Sequence, residues 1–278
     1  MSIRFTKMHG LGNDFMVVDG VQQLISFTPS QIATLAKRDT GVGFDQCLIV
    51  EKAKQPNTDF FYRIYNADGS EVGQCGNGAR CLARFVHHYG LSEEKTLSVS
   101  TSTTRLSLKI NSDDTVTVDM GLPQHEAKPK PDVLIIDNKP YEFQTISVGN
   151  PHAVILSDEL SQAPVQTAGK QLSQHPFFPD QCNIGFMQII SPTHIKLRVY
   201  ERGVGETQAC GSGAVAAVAI GALYNGLAKE VTVSLPGGDL LVHWPDVEKS
   251  IFLTGSASFV YEGLLFEDQP PVNNESWS

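Results

Sequence analysis

Cysteine is scarce in this sequence: Cys47, Cys75, Cys81, Cys182 and Cys210 are the only five in 278 residues. An odd, sparse set excludes a disulfide framework and fits a reducing compartment. No two stand in C-x-x-C spacing and none is followed by H-x-x-x-H, so structural zinc has no ligand set and no metal is expected. Positive charge is also short. With 21 Lys and Arg against 30 Asp and Glu the net charge is −9, and no basic patch is present to meet phosphates, which excludes a general nucleic-acid binder. The longest apolar run, Ala214 to Leu223, falls well short of the roughly 20 residues a membrane helix requires. Met1 to Gly10 lacks the apolar centre of a secretory signal. The expectation is a soluble, cytoplasmic protein with no membrane partner.

What is present is a repeat. The chain is 41% hydrophobic and 18% charged, an ordinary globular balance for one or two domains. Shifted by 135 residues, Cys75-Gly76-Asn77-Gly78-Ala79 falls on Cys210-Gly211-Ser212-Gly213-Ala214. Arg63-Ile64-Tyr65 falls on Arg198-Val199-Tyr200, and Asp45-Gln46-Cys47 on Asp180-Gln181-Cys182. From about residue 44 to 121 this register runs without a gap, and Gly12-Asn13 matches Gly149-Asn150 after a small shift. Self-similarity on this scale implies two homologous halves about a pseudo-twofold axis. The first spans 1–121, with 257–278 returning to it, and the second spans 122–256. The boundary falls near Gly121-Leu122-Pro123, where Gly and Pro break a strand pattern.

Apolar–polar alternation predicts strands at 60–65, 97–101, 105–110 and 116–120, with second-half partners at 195–200, 231–235, 240–244 and 251–254. One helix follows each C-G-x-G. The first ends near Gly90, a natural C′ residue. The second, Ala214 to Tyr224, is apolar on nearly every side and therefore buried. The expected fold is α+β: two pseudosymmetric duplicated domains, each an antiparallel β-barrel-like sheet wrapped around a buried central helix.

Cys75 and Cys210 each stand just before a helix. Free backbone N–H groups and the helix dipole there favour an anion, so the thiol pKa is expected to fall. The glycines allow a backbone nest for a carboxylate. Duplicated halves would set the two thiols face to face, the arrangement needed to invert a stereocentre. One base removes the α-proton while an acid on the other face delivers another, and the pair titrates as a unit. Other readings of the same residues are a thiol oxidoreductase and an amino-acid-binding module. Cys47, Cys81 and Cys182 lack a helix-start context and are assigned to packing, and His87 and His88 to structure.

Lys7-Met8-His9-Gly10-Leu11-Gly12-Asn13-Asp14-Phe15, Asn66-Ala67-Asp68-Gly69-Ser70-Glu71, Cys75 to Cys81, Gly149-Asn150-Pro151-His152 and Glu201 to Thr207 together resemble the diaminopimelate epimerase family over nearly the whole chain. The resemblance implies interconversion of LL- and meso-diaminopimelate with no cofactor and no metal, a small-molecule substrate and a homodimer with Tyr261 at its interface. It makes Cys75 and Cys210 the acid/base pair. Gly76, Asn77, Gly211 and Ser212 would bind the reacting α-carboxylate. Asn13, Gln46, Asn66, Asn150, Asn183 and Arg202 would bind the remaining polar groups, and His152 and Glu201 would contact the reacting amino group and tune the thiols. The nearest rival it leaves is another cofactor-independent racemase of the proline type. Without it, Asn13 and Asn150 read equally as turn residues, Arg202 as a surface ion pair and His152 as a loop histidine.

Overall fold

The computed structural model describes residues 2–73, 75–125 and 130–266; the polar end 267–278, expected to fray, lies outside the described residues. Among the described residues sixteen of the eighteen strands form one path, whose first half includes β1 (Ser2–Gly10), β2 (Asn13–Asp19), β3 (Gln46–Lys52), β4 (Phe60–Asn66), β6 (Thr96–Ser100), β7 (Arg105–Ile110) and β8 (Val116–Asp119). Helix α1 (Pro29–Leu35) follows β2, and β5 (Glu71–Val72) and helix α2 (Gly76–His88) follow β4. Next come β9 (Asp132–Ile136), β10 (Lys139–Ser147), β11 (Pro151–Leu156), α3 (Lys170–Ser173), β12 (Asn183–Ser191), β13 (His194–Glu201) and β14 (Gly205–Glu206). The chain closes with α4 (Gly211–Tyr224), β15 (Glu230–Leu235), β16 (Gly238–His243), β17 (Phe252–Gly255) and β18 (Ser258–Phe266).

The pairing order is β18-β1-β2-β3-β4-β6-β7-β8-β17-β16-β15-β13-β12-β11-β10-β9. It reads alike from both ends, with the antiparallel β8–β17 pair at its middle. The last strand, β18, pairs with the first. The sheet is mixed and not the antiparallel one expected, because β2–β3, β4–β6, β11–β12 and β13–β15 are parallel. Each of these pairs is joined by a long crossover, all four carrying helix, and long crossovers are what parallel neighbours need.

Strand β2 shows how the core is divided. Phe15 and Val17 point into the main cluster around α2 and α4, while Met16 and Val18 point into a second cluster under α1. Alternate residues face opposite sides, so a strand covered on both sides carries a continuous apolar run instead of an alternation. The three unassigned cysteines follow suit: Cys81 lies in the main core, Cys47 in the cluster under α1 and Cys182 in a third cluster in the second half. All five cysteines are free. Helix α2 touches β1, β2, β3, β7 and β8, and α4 touches every strand from β10 to β17 except the short β14. Both helices end on left-handed glycines, Gly90 at φ +64° and Gly226 at φ +71°, with Leu91 and Leu227 N–H closing onto Val86 and Gly221 carbonyls. Among the described residues no helix is long and apolar enough to cross a membrane.

Candidate active site

Cys75 and Cys210 are the N-caps of α2 and α4, both with extended backbone, and each Sγ accepts the N–H of the glycine three residues on at 3.3 Å. That second glycine is required by packing. A Cβ on Gly213 would stand 2.9 Å from Val199 Cγ2 and 3.1 Å from the Cys210 sulphur, and one on Gly78 3.2 Å from Leu48 and 3.4 Å from the Cys75 sulphur. A Cβ on Gly76 would meet nothing within 4 Å. Space is therefore open beside the first cysteine's helix start.

The two helix starts meet. Asn77 Nδ2 donates to the carbonyl of Ala209, immediately before Cys210, at 3.1 Å and to Asn13 Oδ1 at 3.2 Å. A Cβ on Gly211 would lie 3.7 Å from Asn77 Oδ1. The Cys75 sulphur is 4.0 Å from Asn13 Oδ1 and that of Cys210 is 3.7 Å from Ser212 Oγ. Glu201, at the end of β13, takes a hydrogen bond from Thr207, engages Cys210 directly and acts by its charge on both sulphurs.

The expected lowering of the thiol pKa is overturned. Burial pushes Cys75 up to about 11, against the opposing N–H of Gly78, and the charge of Glu201 adds to the rise while that of Arg80 offsets it. Cys210 is pushed well above the usual thiol value by burial and then by Glu201. Desolvating an anion in an enclosed site outweighs what a helix start supplies. Burial likewise drives His152 down to about 3, with the Arg202 charge in support, and leaves a neutral imidazole. Burial raises Glu201, against its bonds with Thr207 and Cys210.

The polar residues form two groups. In the first half Asn13 Nδ2 donates to Asp45 at 2.9 Å, and Asp45 and Asp14 are clamped by Arg38 at 2.7 and 2.9 Å. Although burial acts the other way, hydrogen bonds from Arg38 and Lys7 and their charges hold the Asp14 carboxyl well below the carboxylate range. Gln46 Nε2 donates to Asn66 Oδ1 at 2.9 Å, and among the described residues Gln46 Oε1 is buried without a partner. In the second half His152 Nε2 contacts Ser212 Oγ at 3.1 Å and Asn150 Oδ1 at 3.2 Å. Asn183 Nδ2 lies 3.5 Å from the same nitrogen, and its Oδ1 accepts the Arg202 N–H at 3.0 Å. His152 is thus a buried strand residue, not a loop histidine. Arg202 is exposed and its Nη1 donates to the Asp180 carbonyl at 2.8 Å. Exposed Tyr261, on β18, packs edge-on to Phe5 with ring centroids 6.0 Å apart.

Strand register corrects one sequence match. Phe15 pairs with Gln46 and Gln46 with Asn66. His152 pairs with Asn183, and Ile184 with Tyr200, which sets Asn183 opposite Glu201. Asn183, and not Gln181, therefore stands where Gln46 stands. The repeat is offset by 137 residues before β4 and by 135 from β4 on, because the hairpin from Asn183 to Glu201 is two residues shorter than that from Gln46 to Asn66. Gln181 lies in a loop at φ +59°. The shift already needed to match Gly12-Asn13 with Gly149-Asn150 was the signal. Sequence reasoning also missed Asp14, Arg38 and Asp45, which hold Asn13, Thr207, which holds Glu201, and Arg80.

Comparison with known proteins gives one family. The model of the family described as diaminopimelate epimerase matches residues 5–126 and 144–260. Diaminopimelate epimerases from two Legionella pneumophila strains, Lens and Philadelphia 1, are 53% and 54% identical over 275 residues, covering 95% of this chain and 99% of theirs. A phenazine biosynthesis protein of the PhzF family from Bacillus anthracis has the same fold, with a TM-score of 0.71 at 17% identity over 96% of this chain and 100% of that one. A hydroxyproline epimerase from Agrobacterium vitis follows at 0.70 and 14%, over 97% and 94%.

Proposed function

The chain belongs to the diaminopimelate epimerase family, and from that premise we propose that it interconverts LL- and meso-diaminopimelate through the thiols of Cys75 and Cys210. It is an isomerase of lysine biosynthesis. One cysteine, as thiolate, takes the α-proton, and the other, as thiol, delivers its own proton to the opposite face. The second then holds the negative charge, so protons and electrons balance and the reverse direction swaps the roles.

The observation that carries this is the convergence of the two helix starts, with Asn77 bonded beside Cys210 and Glu201 acting on both sulphurs. Backbone N–H groups at Gly76, Asn77, Gly211 and Ser212 bind the α-carboxylate and stabilise charge that develops on it. A substrate ammonium held near His152 and Glu201 offsets the burial that raises both thiols, so substrate itself favours the thiolate. Gln46, with its unpartnered Oε1, and Asn13, Asn66, Asn150, Asn183 and Arg202 bind the polar remainder, a donor and acceptor set suited to a second amino-acid group.

We assign the site to a cleft between duplicated barrel-like halves, 1–121 with 257–278, and 122–256, in a cytoplasmic homodimer that uses Tyr261. Incubation with LL-diaminopimelate in D₂O should yield meso product carrying deuterium at one α-carbon. Cys75→Ala and Cys210→Ala should each cut turnover by at least about 10³-fold, while Cys47→Ala stays near wild type. Absence of exchange with reduced protein would remove the proposal.

A further inference from the structure

Arg80 lies on α2 with none of its surface exposed, the largest side chain so enclosed. Its Nη2 donates to Asn77 Oδ1 at 2.9 Å and its Nε to the Ser256 carbonyl, between β17 and β18, at 3.2 Å. Among the described residues Nη1 is buried without a partner, and no carboxylate pairs with the guanidinium. The chain makes room for it. A Cβ on Gly10, at the end of β1, would stand 3.1 Å from Nη2, and one on Gly255, at the end of β17, 3.2 Å from Nε. A guanidinium remains charged in such a place, and an unpaired buried charge is costly. The corresponding residue on α4, 135 positions on, is Val215, buried in the main core. A small apolar side chain therefore fills the same place at the second helix.

We propose that Arg80 is a positioning residue of this site: it sets Asn77 against Asn13 and Ala209 and holds an unpaired positive charge beside Cys75 that has no counterpart beside Cys210. The proposal deepens the acid/base reading of the two thiols and rests on it. The groups acting on Cys75 are Glu201 from β13, which opposes its thiolate, Arg80, which favours it, and the Tyr62 hydroxyl and Cys81 thiol, which couple to it. On Cys210, among the described residues, the charged group is Glu201 alone, with Ser212 and the Gly213 N–H in opposition. The two thiols thus share one anion, and only the first has a cation. In the free protein the thiolate forms first on Cys75.

The test is alkylation by iodoacetamide over a pH series without substrate, with Cys75 and Cys210 peptides quantified separately by mass spectrometry. Midpoints are compared, since absolute rates also reflect access. In the unaltered protein the Cys75 midpoint lies below that of Cys210. Arg80→Met raises the Cys75 midpoint by about one unit, roughly a tenfold loss of thiolate, and leaves Cys210 where it was. Arg80→Lys keeps the Cys75 midpoint but lowers kcat more than it raises KM, because the planar fork that joins Asn77 to the Ser256 carbonyl is lost. A Cys75 midpoint at or above that of Cys210 in the unaltered protein overturns the proposal, whether or not Arg80→Met folds. So does a folded Arg80→Met protein in which both midpoints move or neither does. Failure to turn over diaminopimelate would remove the function but leave these midpoints readable, so the two failures are distinct.

Discussion

Helices α2 and α4 begin with the same Cys-Gly-x-Gly turn and the same sulphur-to-glycine hydrogen bond, yet their surroundings differ in kind. The first carries Asn77 and Arg80, both buried, where the second carries half-buried Ser212 and buried Val215. Register places His152 opposite Asn183, where the first half has Phe15 opposite Gln46. The shared features are those that hold a sulphur at a helix start. The divergent ones set its charge environment. A repeated scaffold fixes position, while the residues free to vary within it make two identical thiols chemically unequal.

The largest structural difference should appear at the second glycines. Gly213→Ala should destabilise by about 2 kcal/mol and Gly78→Ala by about 1, since overpacking typically costs 1–3 kcal/mol. The new methyl in the first case meets both Val199 and the sulphur at close range, and in the second only the flexible end of Leu48 closely. Chemical denaturation of the two variants ranks them; equal losses would mean that the helix starts are packed alike.

A pH-dependent difference comes next. Unfolded, His152 takes a proton near its ordinary 6.5, whereas folded it resists until about 3. Between those values the unfolded chain binds the extra proton, so stability rises with pH across the window and is lost as pH falls through it. Phe15, its register partner in the first half, has no such response. Urea unfolding between pH 7 and 4.5 should show a flatter acid limb for His152→Phe than for the parent, and identical limbs would show that His152 does not carry the slope.

The smallest difference lies in the matched ion pairs. Arg63–Glu71 and Arg198–Glu206 occupy equivalent places, but the first pair is 36% and 35% exposed and the second 25% and 15%. Arg198 also donates to the Leu160 and Ala163 carbonyls. Glu71→Gln should cost under about 1 kcal/mol, in the range of exposed pairs. Glu206→Gln should cost about 1–2 kcal/mol, because its partner stays partly desolvated. Thermal melts of both variants test the ranking.

Much of this was legible from residue order, because the signals are local. The Cys-Gly-x-Gly starts, the glycines that end both helices and the alternation in β7 depend on neighbours a few residues apart. The two-sided burial of β2 and β3 was not legible, since a strand covered on both faces loses its alternation. The offset of the repeat before β4 was hidden because Cys47 and Cys182 align by eye, and only hydrogen-bonded register sets Asn183 in the place of Gln46.

By itself the sequence determined that two cysteines stand at equivalent helix starts, since that needs only a repeat and a capping pattern. The tertiary structure alone decided what those positions do to a thiol. The helix start favours a thiolate through short-range N–H contacts, but enclosure removes the water that would solvate it. Enclosure, and the placing of Glu201 where it acts on both sulphurs while Arg80 acts on Cys75 alone of the two, depends on residues far apart in the chain.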